Sequence, residues 1–168
     1  NNPMQRNQTY SKISIGILIS NDYLVFSSFQ LSDTVYMLKG SGGNVGISTG
    51  EDGLFIIDDQ VKPVTAELLQ AIRKISDKPV RIVVNTHYHA DHVGGTPGLL
   101  HRWPGARVVA ARADRERIPF QTEGVAEGDR VPLLGHLLEV LEVPAGAHVV
   151  VEPWQPEGGP LRFGFGAV

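Results

Sequence analysis

Asn85-Thr86-His87-Tyr88-His89-Ala90-Asp91-His92-Val93-Gly94-Gly95 is the stretch on which the reading of this chain turns. Three imidazoles and a carboxylate crowd between His87 and His92, and two glycines follow directly. Borderline divalent ions such as zinc take imidazole and carboxylate ligands, and several must converge on one point. His87 and His89 are two residues apart, so in an extended segment both rings project from the same side and can share one ion. Asp91 and His92 come after the chain turns and can face a second position close by. Two ions about 3.5–4 Å apart can hold a water between them and polarise the bond under attack. Asp91 is the residue to ligate the second ion or to orient and deprotonate that water. Gly94 and Gly95 let the backbone turn tightly beside the site. The competing reading is a solvated loop that happens to carry three histidines. The clustering favours a metal-dependent hydrolase.

The flanks place this cluster in a sheet. Val80 to Val84 reads as a buried strand, so the histidines start at a strand's carboxyl end, where functional loops of such sheets gather. Upstream, Asp33 to Leu38 reads as a strand, followed by the flexible run Gly40-Ser41-Gly42-Gly43. Val45 to Thr49 and Leu54 to Ile57 flank Gly50-Glu51-Asp52-Gly53 as a hairpin. Pro63 opens a helix with Val64, Leu68, Leu69, Ile72 and Ile75 on one face and Glu67, Gln70, Arg73 and Lys74 on the other. Asp77-Lys78-Pro79 stops it. Downstream, Thr96-Pro97 starts a helix through Trp103 that Pro104-Gly105 ends. Arg107 to Ala111 reads as a strand and Ala113 to Arg117 as a helical turn. Val131 to Leu134 and Leu137 to Val143 read as a hairpin with His136 at its tip. The expected class is α/β (α+β), a mixed sheet with helices on its outer side.

Composition bounds the rest. The 168 residues fit one domain, with 42% hydrophobic and 20% charged residues. A net charge of −3 gives no reason to expect a nucleic-acid partner or an anionic membrane surface. With no cysteine, any metal must be held by nitrogen and oxygen. No stretch is long enough to span a bilayer. Arg6 and Lys12 precede a short apolar run, Ile13 to Ile19, that weakly resembles a signal-peptide core before Asn21 and Asp22 interrupt it. The preferred reading of residues 1–30 is a disordered arm or an extra edge strand, with 31–168 one domain that diverges from about Val149. The compartment, cytoplasmic or periplasmic, stays open.

The stretch from Asn85 to Gly95 resembles, without a mismatch, the Thr-His-x-His-x-Asp-His-x-Gly-Gly signature of the metallo-β-lactamase superfamily. Gly42-Gly43-Asn44 and the hairpin ending Phe55-Ile56-Ile57-Asp58 look like the family's opening strands. Gly128-Asp129-Arg130-Val131 through Glu142-Val143-Pro144 looks like the hairpin leading to its next ligand. The likeness covers about Leu31 to Pro144. It implies an αβ/βα sandwich, with His87 and His89 on a first metal and Asp91 and His92 on a second. The segment from Leu99-Leu100 to Pro144 looks most like bacterial glyoxalase II, and the segment before the cluster more like periplasmic members. Zinc, one or two per chain, is the implied cofactor; iron and manganese suit the same donors.

Past Pro144 the pattern departs. Where the family has Pro-Gly-His-Thr, this chain has Pro144-Ala145-Gly146-Ala147-His148, so His148 is either the fifth ligand or a non-ligating histidine. Phe165 stands about where the family's bridging aspartate belongs, and the final helix, strand and histidine have no counterpart before Val168. The sandwich is thus expected to be incomplete at its C-terminal end; a truncated gene, a shifted frame or a chimera would each produce such a tail. His101 and His136 read as structural or solvated residues. Asp58 reads equally as a partner of a ligand imidazole or as a helix cap before Pro63, and Tyr88 as lining a pocket or packing on the sheet. Three functions follow: a hydrolase acting on a β-lactam, thioester or lactone carbonyl, a catalytically impaired metal-binding fragment, or a homodimer that completes its site in trans.

Overall fold

The computed structural model describes residues 26–118, 120–133, 136–144 and 161–167. Its main sheet has seven strands in sequence order: β1 (Ser27–Gln30), β2 (Val35–Lys39), β3 (Asn44–Thr49), β4 (Leu54–Ile57), β5 (Val80–Asn85), β6 (Arg107–Ala111) and β7 (Glu123–Val125). The pairings from β1 to β4 are antiparallel and those from β4 to β7 are parallel. A parallel neighbour needs a crossover. Helix α1 (Thr65–Ile75) carries the chain from β4 to β5, and α2 (Ala90–Val93) with α3 (Thr96–Arg102) carries it from β5 to β6. A second sheet orders β10 (Leu161–Ala167), β9 (His136–Pro144) and β8 (Arg130–Leu133), with β9 parallel to β10 and antiparallel to β8.

Strand β4 explains the layering. All four of its residues are buried, and alternate side chains point to opposite faces. Leu54 and Ile56 join Leu68 and Ile72 of α1, Leu99 of α3, and Val45, Ile47, Val83 and Val108 in one core. Phe55 and Ile57 join Ile82, Val84 and Val109 on the other face, packed with Val131 of β8 and Val140 of β9. The main sheet is therefore clothed by helices on one side and by the second sheet on the other. Each such buried aliphatic side chain contributes about 1.5–3 kcal/mol. Helix α1 buries Leu68 and Ile72 while Glu67, Gln70, Arg73 and Lys74 stay exposed, and its acidic first turn and basic last turn suit the helix dipole.

Some boundaries differ from the sequence reading. Strand β2 starts at Val35 rather than Asp33, because the Ser32 hydroxyl accepts the N–H groups of Thr34 and Val35 and holds a bend there. Residues 27–30 form the extra edge strand, with Ser27 opposite Lys39. His136 opens β9 and pairs with Leu133, the last pair before the turn of the β8–β9 hairpin. Strands β7 and β10 were not legible from the sequence. The signal-like run from Ile13 lies outside the described residues. No helix among the described residues is long and apolar enough to cross a membrane.

Candidate metal centre

Parallel pairing of β4 with β5 sets two segments side by side at their carboxyl ends: Asp58-Asp59-Gln60 after β4 and Thr86 to Gly95 after β5. The first is bent by left-handed backbone at Asp58 (φ 59°) and Gln60 (φ 67°). For residues other than glycine this costs about 1–2 kcal/mol each, so it persists only where other contacts hold it.

At Asp58 those contacts are plain. Its carboxylate accepts the Thr86 N–H at 2.8 Å and the Thr86 hydroxyl at 2.8–2.9 Å, and its Oδ2 lies 2.7 Å from His92 Nδ1. Asp58 caps no helix; the turn at Lys62–Val64 and helix α1 both start without a side-chain cap. The partner reading is the one the structure bears out, because the left-handed bend aims the carboxylate across at β5 rather than along its own chain.

Asp59, which the sequence reading passed over, is fully buried. It accepts the Gly95 N–H at 2.7 Å, the Asn85 amide at 3.1 Å and the Thr96 hydroxyl, while its own N–H donates to the His92 carbonyl at 3.0 Å. Asn85 adds a bond to that carbonyl at 3.0 Å. One carboxylate therefore ties both ends of the histidine loop together. Burial, opposed by these hydrogen bonds and reinforced by the charge of Asp58, pushes the Asp59 carboxyl up to about 7. Gly94 is required by close approach: a Cβ there would lie 2.5 Å from the Ala90 carbonyl and from the Lys62 nitrogen.

The loop brings its imidazoles together. The His87 ring centroid lies 4.6 Å from that of His89 and 3.7 Å from that of His92. His92 thus joins the first pair instead of standing apart from it. Burial works against a charged His92, but the Asp58 hydrogen bond and the charges of Asp58, Asp91 and Asp59 outweigh it and raise its pKa. Burial and the neighbouring His92 and His89 lower that of His87. His92 Nε2 is 3.3 Å from Asp91 Oδ2. In a tetrahedral site with ligands about 2.0–2.1 Å from the ion, two donors stand roughly 3.3–3.4 Å apart, so this pair has the spacing of two ligands on one metal. The donor set fits a divalent ion in kind and in that pair's spacing. Among the described residues no three of these groups already form a closed metal-binding set. His148 lies outside the described residues, and His101 is exposed on α3. Tyr88 is half-buried against the cluster: its ring centroid is 4.9 Å from that of His89 and 6.5 Å from that of His87, and the Arg117 guanidinium carbon sits 4.3 Å from its centre.

Comparison with known proteins agrees with this geometry. Residues 38–164 match the metallo-beta-lactamase superfamily. A hydroxyacylglutathione hydrolase of Parasynechococcus marenigrum (strain WH8102) is 58% identical over 86 residues, which is 48% of this chain and 34% of that protein. Another, from Synechococcus sp. (strain CC9902), is 47% identical over 110 residues, 61% of this chain and 44% of that protein. The chain thus spans between a third and a half of these curated relatives. Among solved structures, the subclass B3 metallo-beta-lactamase BJP-1 of Bradyrhizobium japonicum is 27% identical with a TM-score of 0.60, covering 67% of this chain and 50% of that one. The class B3 di-zinc metallo-beta-lactamase LRA-12, from an Alaskan soil metagenome, shares the fold at 16% identity and a TM-score of 0.60, covering 68% and 51%. From its strand order, its loop chemistry and these matches, the chain belongs to the metallo-beta-lactamase superfamily.

Proposed function

We propose that this chain is the metal-binding portion of a hydrolase that cleaves an activated carbonyl, a thioester in the first instance. The observation that carries the reading is His92, whose Nδ1 is engaged by Asp58 while its Nε2 stands at ligand spacing from Asp91 Oδ2, beside His87 and His89. His87, His89, Asp91 and His92 would hold the metal, with His148 as a fifth ligand. Zinc suits this nitrogen and oxygen set, at one or two ions per chain. A divalent ion bound there supplies Lewis acidity and a water acidic enough to attack at neutral pH. Asp58 fixes which His92 nitrogen carries the proton, and Asp91 is placed to accept a proton from the attacking water. The thioester preference rests on the names of the cyanobacterial relatives; the lactam and lactone alternatives rest on the shared fold.

A second reading, a metal-binding fragment without turnover, is favoured by one feature. Phe165 lies within β10, paired with Glu142, where the family resemblance places a bridging aspartate. A second copy of the chain completing the site with elements of its own is the homodimer form of the first reading. Metal content of the purified protein, followed by assays with S-lactoylglutathione, a lactone and nitrocefin, separates these. At least one metal per chain, and turnover lost in His89→Ala, is the expected result; less than one metal with no turnover on any substrate would sink the enzyme. His148→Ala is expected to lower metal retention, and light scattering reads the dimer directly.

A further inference from the structure

We propose that Arg117, stacked on Tyr88 beside the histidine cluster, forms with that ring a recognition site for a substrate carboxylate close to the carbonyl under attack. The inference deepens the hydrolase reading above and rests on it. The guanidinium carbon lies 4.3 Å from the Tyr88 ring centre, and that ring is 4.9 Å from His89's. The cation is therefore no farther from the His89 ring than those two spacings laid end to end. A guanidinium stacked on an aromatic face keeps its N–H groups in its own plane, pointing outward, where they match the two oxygens of a carboxylate.

Arg117 is presented rather than left to wander. Its N–H donates to the Asp114 carbonyl at 2.9 Å, and the next N–H, that of Ile118, donates to the same carbonyl at 2.8 Å. Ile118 is anchored in the interior, so the turn carrying the arginine has a fixed base. The Asp114 carboxylate is 3.7 Å from Arg117 Nη1, too far for a hydrogen bond, and the arginine side chain is 54% exposed. Asp114 is itself buried, with 10% of its side chain exposed, so an incoming anion adds a second carboxylate to the half-exposed guanidinium rather than displacing the first. Of the carboxylates at the cluster, Asp58 and Asp91 are both engaged with His92.

The spacing admits a carboxylate near the scissile carbonyl. A carboxylate one or two residue lengths from the scissile carbonyl, at roughly 3.5 Å per residue, stands about 4–7 Å away. An acyl thioester of a small acidic peptide has that geometry, and so does a lactam carrying a ring carboxylate. The shared feature is the acid, and two ligand pairs tell the sources apart.

Isothermal titration calorimetry on the full 168-residue chain would use S-methylglutathione against its diethyl ester, and penicillanic acid against its methyl ester. In at least one pair the acid is expected to bind about tenfold more tightly than the ester, as a charged hydrogen bond provides. Arg117→Ala should abolish that preference and Arg117→Lys should keep part of it, with melting temperature and metal content unchanged. Acid preference that survives in Arg117→Ala, or that is missing from the unmodified protein in both pairs, overturns the proposal. Metal content read on the same samples keeps the two ideas separate. Retained metal without acid preference defeats only the arginine site. Acid preference in a protein without metal or turnover defeats only the hydrolase.

Discussion

Asp59→Asn isolates the most perturbed carboxylate among the described residues. Asp59 titrates near 7, against an ordinary value near 3.9 for an exposed aspartate. Between those values the folded chain holds a proton that the unfolded chain has released. Stability therefore falls as pH rises through this window, since the unfolded state is the one binding fewer protons. Integrated over both titrations, this one group removes about 2–3 kcal/mol between about pH 5 and pH 8. The residue is fully buried, so solvent screening does not reduce that figure. Asparagine resembles the protonated acid: its oxygen can accept from Gly95 and its amide can donate to the Thr96 hydroxyl, while the Asn85 amide loses the acceptor it has in Asp59. The variant should match the parent within about 1 kcal/mol at pH 5 and exceed it at pH 8. Urea unfolding of chelator-treated protein at both pH values reads the difference directly. The raised pKa of His92 has the same sign, and because the Asp59 charge helps to raise it, the variant weakens that contribution too and adds to the difference in slope. Parallel pH profiles for parent and variant would refute the reasoning.

Thr86→Val keeps the shape of the side chain and removes the hydroxyl that donates to Asp58, at a cost of about 1–2 kcal/mol in urea unfolding; a cost below about 0.5 kcal/mol would show that bond to be dispensable. Gly95→Ala drives a Cβ into the Asp59 carbonyl, a backbone atom that cannot swing aside, whereas Gly105→Ala meets nothing within 4 Å. The first should lower the melting temperature by the equivalent of 2 kcal/mol or more and the second hardly at all, on the order of 0.5 kcal/mol. In metal-free protein, proton NMR should find His92 titrating above and His87 below the ordinary histidine value. His92 then contributes stability below about pH 6.5 that is lost as pH rises through its folded pKa, and Asp58→Asn should remove most of that rise.

The parts legible in the sequence were those with a local cause. Leu54 to Ile57 and Val80 to Val84 are apolar runs bounded by turn residues, and α1 carries its buried face at helical spacing, so the sheet and its covering helix could be drawn before any coordinates. The histidine cluster announces its own chemistry. Features made by distant neighbours were hidden. Strand β7 is three residues long with Gly124 at its centre, and it exists because β6 offers it a partner and Arg107 pairs with Glu123. The contact between Arg117 and Tyr88 joins the turn after β6 to the loop after β5, and no periodicity reports it. Asp58 was ambiguous because capping and ligand support ask for the same residue. The left-handed backbone that decides between them appears only when β5 lies alongside.

That bend also divides the work of two adjacent acids. A carboxylate only accepts, so with Asp58 Oδ2 at 2.7 Å the proton of a neutral His92 must sit on Nδ1, leaving the lone pair on Nε2, the nitrogen beside Asp91. Two ionised carboxylates side by side would blur this, each competing for the same proton and repelling the other. The chain avoids the conflict by burying Asp59 against Gly95, Thr96 and Asn85, where burial favours its neutral form up to about pH 7. Asp58 fixes the imidazole, and Asp59 holds the loop closed. Swapping the two roles would need the backbone to turn the other way at residue 58. The positive φ there is thus the conformation that lets one acid hold the His92 imidazole and its neighbour hold the loop that carries it.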